Sequence, residues 1–253
     1  MAKDDALAVP SDIAAALGLL TRLPVRVDTG RAIARGARAA WAWPIAGVVV
    51  NALAAAAAGL ALWTGLSASV AALVLVAVQI TVTGAMHEDG LADSLDGLWG
   101  GWDRARRLAI MKDSQIGTYG VLALLLTILL RWTLWTALLA VTLWPVALTA
   151  GALSRLPMVA LAWALPHARD NGLSRAVGRP AATTLTLAGS IAFVIGVITL
   201  GWSTLPLVLA VALVTGIWGL IVKTRIGGQT GDILGASQQI AEVVILLTLT
   251  LLI

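Results

Sequence analysis

The stretch YGVLALLLTILLRWTLWTALLAVTL, Tyr119 to Leu143, decides the fold class of this chain. It exceeds the roughly 20 apolar residues that an α-helix needs to cross a bilayer core, and Arg131 is its only charge. Further apolar runs occupy Trp41 to Trp63, Leu66 to Met86, Pro145 to Leu165, Thr183 to Gly201, Leu205 to Val222 and Gln239 to Ile253. With 59% hydrophobic and 12% charged residues over 253 positions, and a mean hydropathy of +0.93, the composition excludes an ordinary water-facing surface. The expected fold is an all-α, polytopic helical bundle with about seven transmembrane helices, residues 1–253 forming one membrane-embedded domain. The run Ile13 to Leu20 is too short to span and is expected to lie in the interface or re-enter.

Charge placement gives the bundle an orientation. Arg22, Arg26, Arg31, Arg35 and Arg38 precede the first span; Arg104, Arg106, Arg107 and Lys112 separate the second and third. Arg169, Arg175 and Arg179 separate the fourth and fifth, and Lys223 and Arg225 follow the sixth. The links at Thr64-Gly65, near Trp144 and at Trp202-Ser203-Thr204 are uncharged. By the positive-inside rule the charged loops face the cytoplasm, so the chemistry gathers on one membrane face. The net charge of +4 and pI near 10.3 are spread over these loops, which suits anionic lipid headgroups and anionic substrates and not nucleic acid. With no cysteine, disulfides and thiolate metal sites are excluded. The acidic opening Met1-Ala2-Lys3-Asp4-Asp5 argues against a cleavable signal peptide.

The carboxylates are concentrated. Nearly half of the 13 acids lie between residues 84 and 120, most of them in His87-Glu88-Asp89-Gly90-Leu91-Ala92-Asp93-Ser94-Leu95-Asp96-Gly97. On a helix Asp93 falls roughly 40° from Asp89, and Asp96 roughly 20° from it on the other side. Three anions on one narrow face repel one another and raise their desolvation cost, so a cation between them is expected: a divalent metal holding a phosphorylated substrate. A solvated acidic loop is the plainer alternative. Glu88 lies about 100° off this face, and His87 suits a structural hydrogen bond as well as a catalytic role.

Other groups extend the candidate site. Lys112-Asp113-Ser114 would be a common surface tripeptide by itself; beside the acids, Lys112 can neutralise a phosphate oxygen and Asp113 can add a metal ligand. Gly227-Gly228-Gln229-Thr230-Gly231-Asp232-Ile233-Leu234-Gly235 leads into the last apolar helix and offers backbone N–H groups as a phosphate cradle, although no Lys-Ser/Thr pair makes it a Walker A loop. Asp232 beside an anion cradle makes sense where a metal bridges the two. Arg131 and Arg155 sit inside apolar runs, where a buried cation faces either a substrate or a structural counter-ion. Trp41, Trp43, Trp63, Trp144, Trp163 and Trp202 fall at span ends and read as interfacial anchors.

Taken together, these residues resemble the cobalamin synthase family, adenosylcobinamide-GDP ribazoletransferase. The resemblance rests on Thr21 to Pro24, Trp43 to Gly47, His87 to Gly97, Met111 to Thr118, Ser154-Arg155 and Gly227 to Ala236, in that order along essentially the whole chain. Glu88 departs from it, standing where the family usually has an apolar residue. The resemblance implies transfer of the cobinamide phosphoryl group from adenosylcobinamide-GDP to α-ribazole or its 5′-phosphate, with release of GMP, at a prokaryotic inner membrane. Such chemistry needs charge neutralisation, in-line positioning and a proton acceptor. On this reading Asp89, Asp93, Asp96 and Lys112 are catalytic; Asp89, Asp93, Asp96, Asp113 and Asp232 hold magnesium. His87, Ser114, Arg131, Arg155, Gly227, Gly228, Thr230 and Gly231 contact substrate. The partners are the two substrates and the bilayer, with a homo-oligomer or association with other cobalamin-assembly enzymes as further options. Asp93-Ser94-Leu95-Asp96-Gly97 also echoes CDP-alcohol phosphotransferases, although Gly100-Gly101 stands where their Ala-Arg pair would be. An ion-coupled transporter is the non-enzyme alternative, and it would place its acids near mid-membrane.

Overall fold

A computed structural model describes residues 6–252, so the acidic opening Met1 to Asp5 lies outside the described residues. The described chain is helical: α1 Ser11–Leu20, α2 Thr29–Arg35, a 3₁₀ segment Gly36–Ala42, α3 Trp43–Trp63, α4 Ala68–Thr83, α5 Met86–Gly100, α6 Arg104–Ile110 and α7 Thr118–Leu139. There follow α8 Trp144–Leu153, α9 Leu156–Ala164, the short α10 Leu173–Val177, α11 Ala182–Leu200, a 3₁₀ turn Gly201–Ser203, α12 Thr204–Ile226 and α13 Gly231–Leu252. Pro44, Pro145 and Pro157 stand in the first turns of α3, α8 and α9, where the missing N–H has no intrahelical partner to lose.

Among the described residues, five helical stretches are long and apolar enough to cross a membrane, and six when α4 and α5 are taken as one bent span. One of the five, Ala182–Ile226, is 45 residues long. At 1.5 Å per residue a straight helix of that length would reach about 67 Å, twice a bilayer core. Instead α11 and α12 fold back on each other. Gly196 packs against Thr204, Ala192 shares a core with Leu207 and Val211, and Ala188 shares the other core with Trp218. Counted as two crossings, they raise the number to six, and to seven when α4 and α5 are also taken as one bent span. The exposed leucines of α7 (Leu122, Leu125, Leu126, Leu129) and of α12 (Leu205, Leu209, Leu213, Leu220) make a surface suited to lipid.

Several boundaries differ from the sequence expectation, each for a physical reason. The run Pro145 to Leu165 breaks at Ser154-Arg155, because Pro157 cannot donate to the carbonyl of Leu153. The run ending at Met86 turns by 86° between α4 and α5, at Gly84 and Ala85, both of positive φ. The last helix starts at Gly231, well before Gln239, because its polar first half is buried against α5 and α7. Trp63, Trp144, Trp163 and Trp202 are exposed, as interfacial anchors should be. Trp41 and Trp43 are buried instead, and Trp41 donates its indole N–H to Asp12 at 2.7 Å.

That same Asp12 receives Arg35 through two hydrogen bonds, Nε to Oδ1 at 2.9 Å and Nη2 to Oδ2 at 2.7 Å, which fastens α1 to α2 and the 3₁₀ segment. Burial pushes the Asp12 carboxyl up, but the hydrogen bonds from Arg35 and Trp41 outweigh burial and leave it below the usual carboxylate range. Helices α3 and α8 touch at Gly47 and Gly151. A Cβ on Gly151 would sit 2.8 Å from the Gly47 carbonyl carbon, so only glycine permits this approach.

Candidate active site

Helix α5 packs along the start of α13 because both surfaces carry glycine: a Cβ on Gly90 would lie 2.8 Å from the backbone oxygen of Asp232, and one on Gly235 would lie 3.3 Å from that of Met86. This close approach brings the acidic block to the Gly-rich loop. Asp89 and Asp232 line one polar cleft of about 200 Å³, together with His167, Arg169, Arg175 and Thr230. Asp89 is exposed, whereas Asp93, one turn further along α5, and Asp232 are half-buried. Asp93 stands within the electrostatic reach of Asp89, Asp232, Asp96 and Arg169. Among the described residues no three His, Asp or Glu side chains converge tightly enough to cage a metal by themselves.

The Gly-rich loop is rigidly seated. Gly227, at φ 77, ends α12. The Gln229 N–H donates to the Pro166 carbonyl at 2.8 Å, and the Gln229 carbonyl accepts from the Ala168 N–H at 2.9 Å. A side chain on Gly228 would run into that neighbouring strand of backbone, 3.0 Å from the Ala168 nitrogen. The Thr230 hydroxyl accepts from the Ile233 N–H at 3.3 Å and lies 3.2 Å from Asp232 Oδ2, capping α13, while nothing crowds Gly231. Arg169 pairs with the same Asp232 oxygen at 3.2 Å and also donates to the Leu108 carbonyl. His167 Nδ1 lies 2.8 Å from Gln229 Nε2, and Gln229 in turn accepts a short hydrogen bond from Ser174. Burial, then the charges of Arg175 and Arg179, lower the His167 imidazole below its ordinary value.

Other expected site residues lie elsewhere. Asp96 is buried at the start of α7, where its Oδ2 accepts the Gly117 N–H at 2.7 Å and its Oδ1 the Gly120 N–H at 2.9 Å. Lys112, Asp113 and Ser114 are exposed on the loop after α6, and none lines the cleft; Asp113 accepts the Gln115 N–H at 3.1 Å.

Arg131 is 1% exposed, inside the bundle. It donates to Glu88 at 2.8 Å, to Gln239 at 2.9 Å and to Gln79 at 2.8 Å, and stands 3.5 Å from Glu242. His87 and Arg155 border this same polar interior, and Arg155 donates to the Ser154 hydroxyl at 2.8 Å. Glu88 thus has a role the sequence did not reveal, as a counter-ion of Arg131. Glu242, Gln79, Gln239 and Arg169 were also missed, and polar residues inside apolar helices were the available signal for the first three. Arg104 and Arg107 donate to the carbonyls of Ile226 and Arg225 and so tie α6 to the end of α12.

Fold and cleft together define a polytopic helical membrane protein with a cleft, lined by both carboxylates and guanidinium groups, where α5 meets the start of α13. The chain belongs to the cobalamin-5-phosphate synthase family, whose pattern it matches over residues 12–250. It is similar to the adenosylcobinamide-GDP ribazoletransferase of Bradyrhizobium diazoefficiens, 41% identical over 94% of this chain and 93% of that protein. The proteins of the same name from Sinorhizobium medicae, 41% identical over 95% of this chain and 96% of theirs, and from Allorhizobium ampelinum, 38% identical over 95% and 96%, are also similar. No solved structure matches the chain. Family membership makes it a transferase of cobalamin assembly and favours that reading over the CDP-alcohol phosphotransferase and the transporter.

Proposed function

We propose that this chain joins adenosylcobinamide-GDP to α-ribazole, or to its 5′-phosphate, at the cytoplasmic face of a prokaryotic inner membrane. The observation that carries the geometry of this reading is the convergence of Asp89 and Asp232, distant in sequence, in one cleft with Arg169 and the open first turn of α13. Magnesium fits this donor set, because it is commonly held by one or two carboxylates plus substrate phosphates instead of an all-protein cage. Bound there by Asp89 and Asp232, with Asp93 behind them, it would neutralise charge on the diphosphate.

Arg169 and Arg175 offer guanidinium groups to phosphate oxygens, and Gly231 and Asp232, in the first turn of α13, contribute backbone amides that have no intrahelical partner. A ribose hydroxyl of the acceptor forms a bond to the phosphorus next to cobinamide. The diphosphate bridge to GMP breaks, and a carboxylate oxygen of the Asp89 and Asp93 pair takes the hydroxyl proton. Asp96 acts in this scheme by fixing α7 against α5, and His87, Arg131 and Arg155 by holding the interior on which α5 rests. Lys112, Asp113 and Ser114 are proposed to meet the donor outside the cleft, because the donor is far larger than 200 Å³.

The test uses purified protein in lipid nanodiscs with adenosylcobinamide-GDP, α-ribazole and magnesium. GMP should appear only when all three are present. GMP release that ignores α-ribazole, or no release at all, would refute the transfer.

A further inference from the structure

The polar cleft does not stand alone. Beyond Leu173 and Ser174 it adjoins a narrow apolar space of about 50 Å³, and this in turn adjoins a groove of about 220 Å³ between α1, α2 with its 3₁₀ extension, and α10. Leu173 borders all three spaces, Met86 and Gly231 border the first two, and Trp43 and Val177 border the last two. The five-residue α10, held between the positive-φ residues Gly172 and Gly178, therefore borders all three spaces, from the acidic cleft to the apolar groove. Among the described residues no charged side chain lines the groove, and Trp43 supplies an aromatic wall.

We propose that this groove binds the benzimidazole base of the acceptor, a subsite that rests on the functional reading above. The acceptor has the matching polarity along its length: an apolar fused aromatic ring, a ribose, and the hydroxyl that must reach the phosphorus in the cleft. Other parts of the substrates suit the groove poorly. The corrin ring is too bulky for 220 Å³. Guanine would bury several donors and acceptors against apolar side chains without partners, which is unfavourable for each group left unpaired. A flat apolar bicycle gains from burial and from an offset contact with an indole. The groove also neighbours the polar cleft through the walls of the intervening space, a proximity that a site serving only lipid would not require.

Two variants from opposite walls test this. Ala176→Phe fills the groove from an exposed position on α10, and Ala32→Phe fills it from a half-buried position on α2. Equilibrium binding of α-ribazole to nanodisc-embedded protein, without donor or magnesium, should weaken by about tenfold or more in each, the scale of misfit in an apolar pocket. Binding of adenosylcobinamide-GDP should be unchanged. In the wild type, 5,6-dimethylbenzimidazole alone should compete with α-ribazole and not with the donor, which needs no variant to fold.

Unchanged α-ribazole affinity in folded variants would overturn the subsite. So would selective loss of donor binding, failure of dimethylbenzimidazole to compete, or a co-purified phospholipid that α-ribazole does not displace. Absence of GMP release by wild-type protein would instead strike the functional reading itself, so the two failures are distinguishable.

Discussion

At Asp96 both carboxylate oxygens accept backbone amides of α7, whereas Asp93, nearly a turn earlier, is surrounded by other acids. Asp96→Ala should therefore cost about 2 kcal/mol, because two amides lose their charged partner, and thermal melting in detergent should show it as a lower Tm. Asp93→Asn should keep or raise Tm, since it removes one of several like charges, while abolishing GMP release. An Asp93→Asn protein that melts lower yet turns over normally would contradict both roles. His167 gives a pH test at the same scale. Its folded value lies below 6.5, so it adds stability above that pH that is lost as pH falls through the folded value. The chain has only 2 histidines, so a carbon-13 histidine titration, assigned with His87→Gln, should place the His167 midpoint below 6.5. A midpoint at or above that value would show that burial and the Arg175 and Arg179 charges do not hold the ring neutral.

Helices α5, α7 and α13 are joined through Arg131, which faces Glu88 from one and Glu242 from another. Removing the cation leaves two buried acids, so Arg131→Met should destabilise by about 3–5 kcal/mol. Glu88→Gln should cost much less, because Glu242 still faces Arg131. The double variant should be more stable than Arg131→Met alone, a coupling that a thermal or denaturant melt reads directly. Additive losses would mean that the two side chains do not share one network. Between α3 and α8 the decisive feature is close backbone approach, and Gly151→Val should separate the helices and lower Tm sharply, where Gly189→Ala, in open space, should not.

Over the whole molecule the absence of cysteine makes topology directly measurable. Single cysteines at Ser114 and Arg106 should react with a membrane-impermeant maleimide only after the cytoplasmic face is exposed, and cysteines at Gly65 and Ser203 should react in intact cells. The reverse pattern would invert the assigned faces and move the site out of the cytoplasm.

The apolar runs and their alternating charged links determined that this chain spans a membrane, because a hydrocarbon core requires every backbone group to be paired, and a continuous apolar run of this length meets that requirement as a helix. They gave the all-helical class and placed the acids on a helix, as α5 is. The same hydropathy could not register helix segments whose polar faces are buried in protein, so it started α13 too late and left Glu88 without a role. Spacing alone grouped Asp96 with Asp89 and Asp93. Tertiary structure turned Asp96 to the amides of α7, brought Asp232 and Arg169 to Asp89, and opened a groove behind α10. Helical periodicity reports which residues share a face; which helix that face meets depends on contacts between elements far apart in the chain.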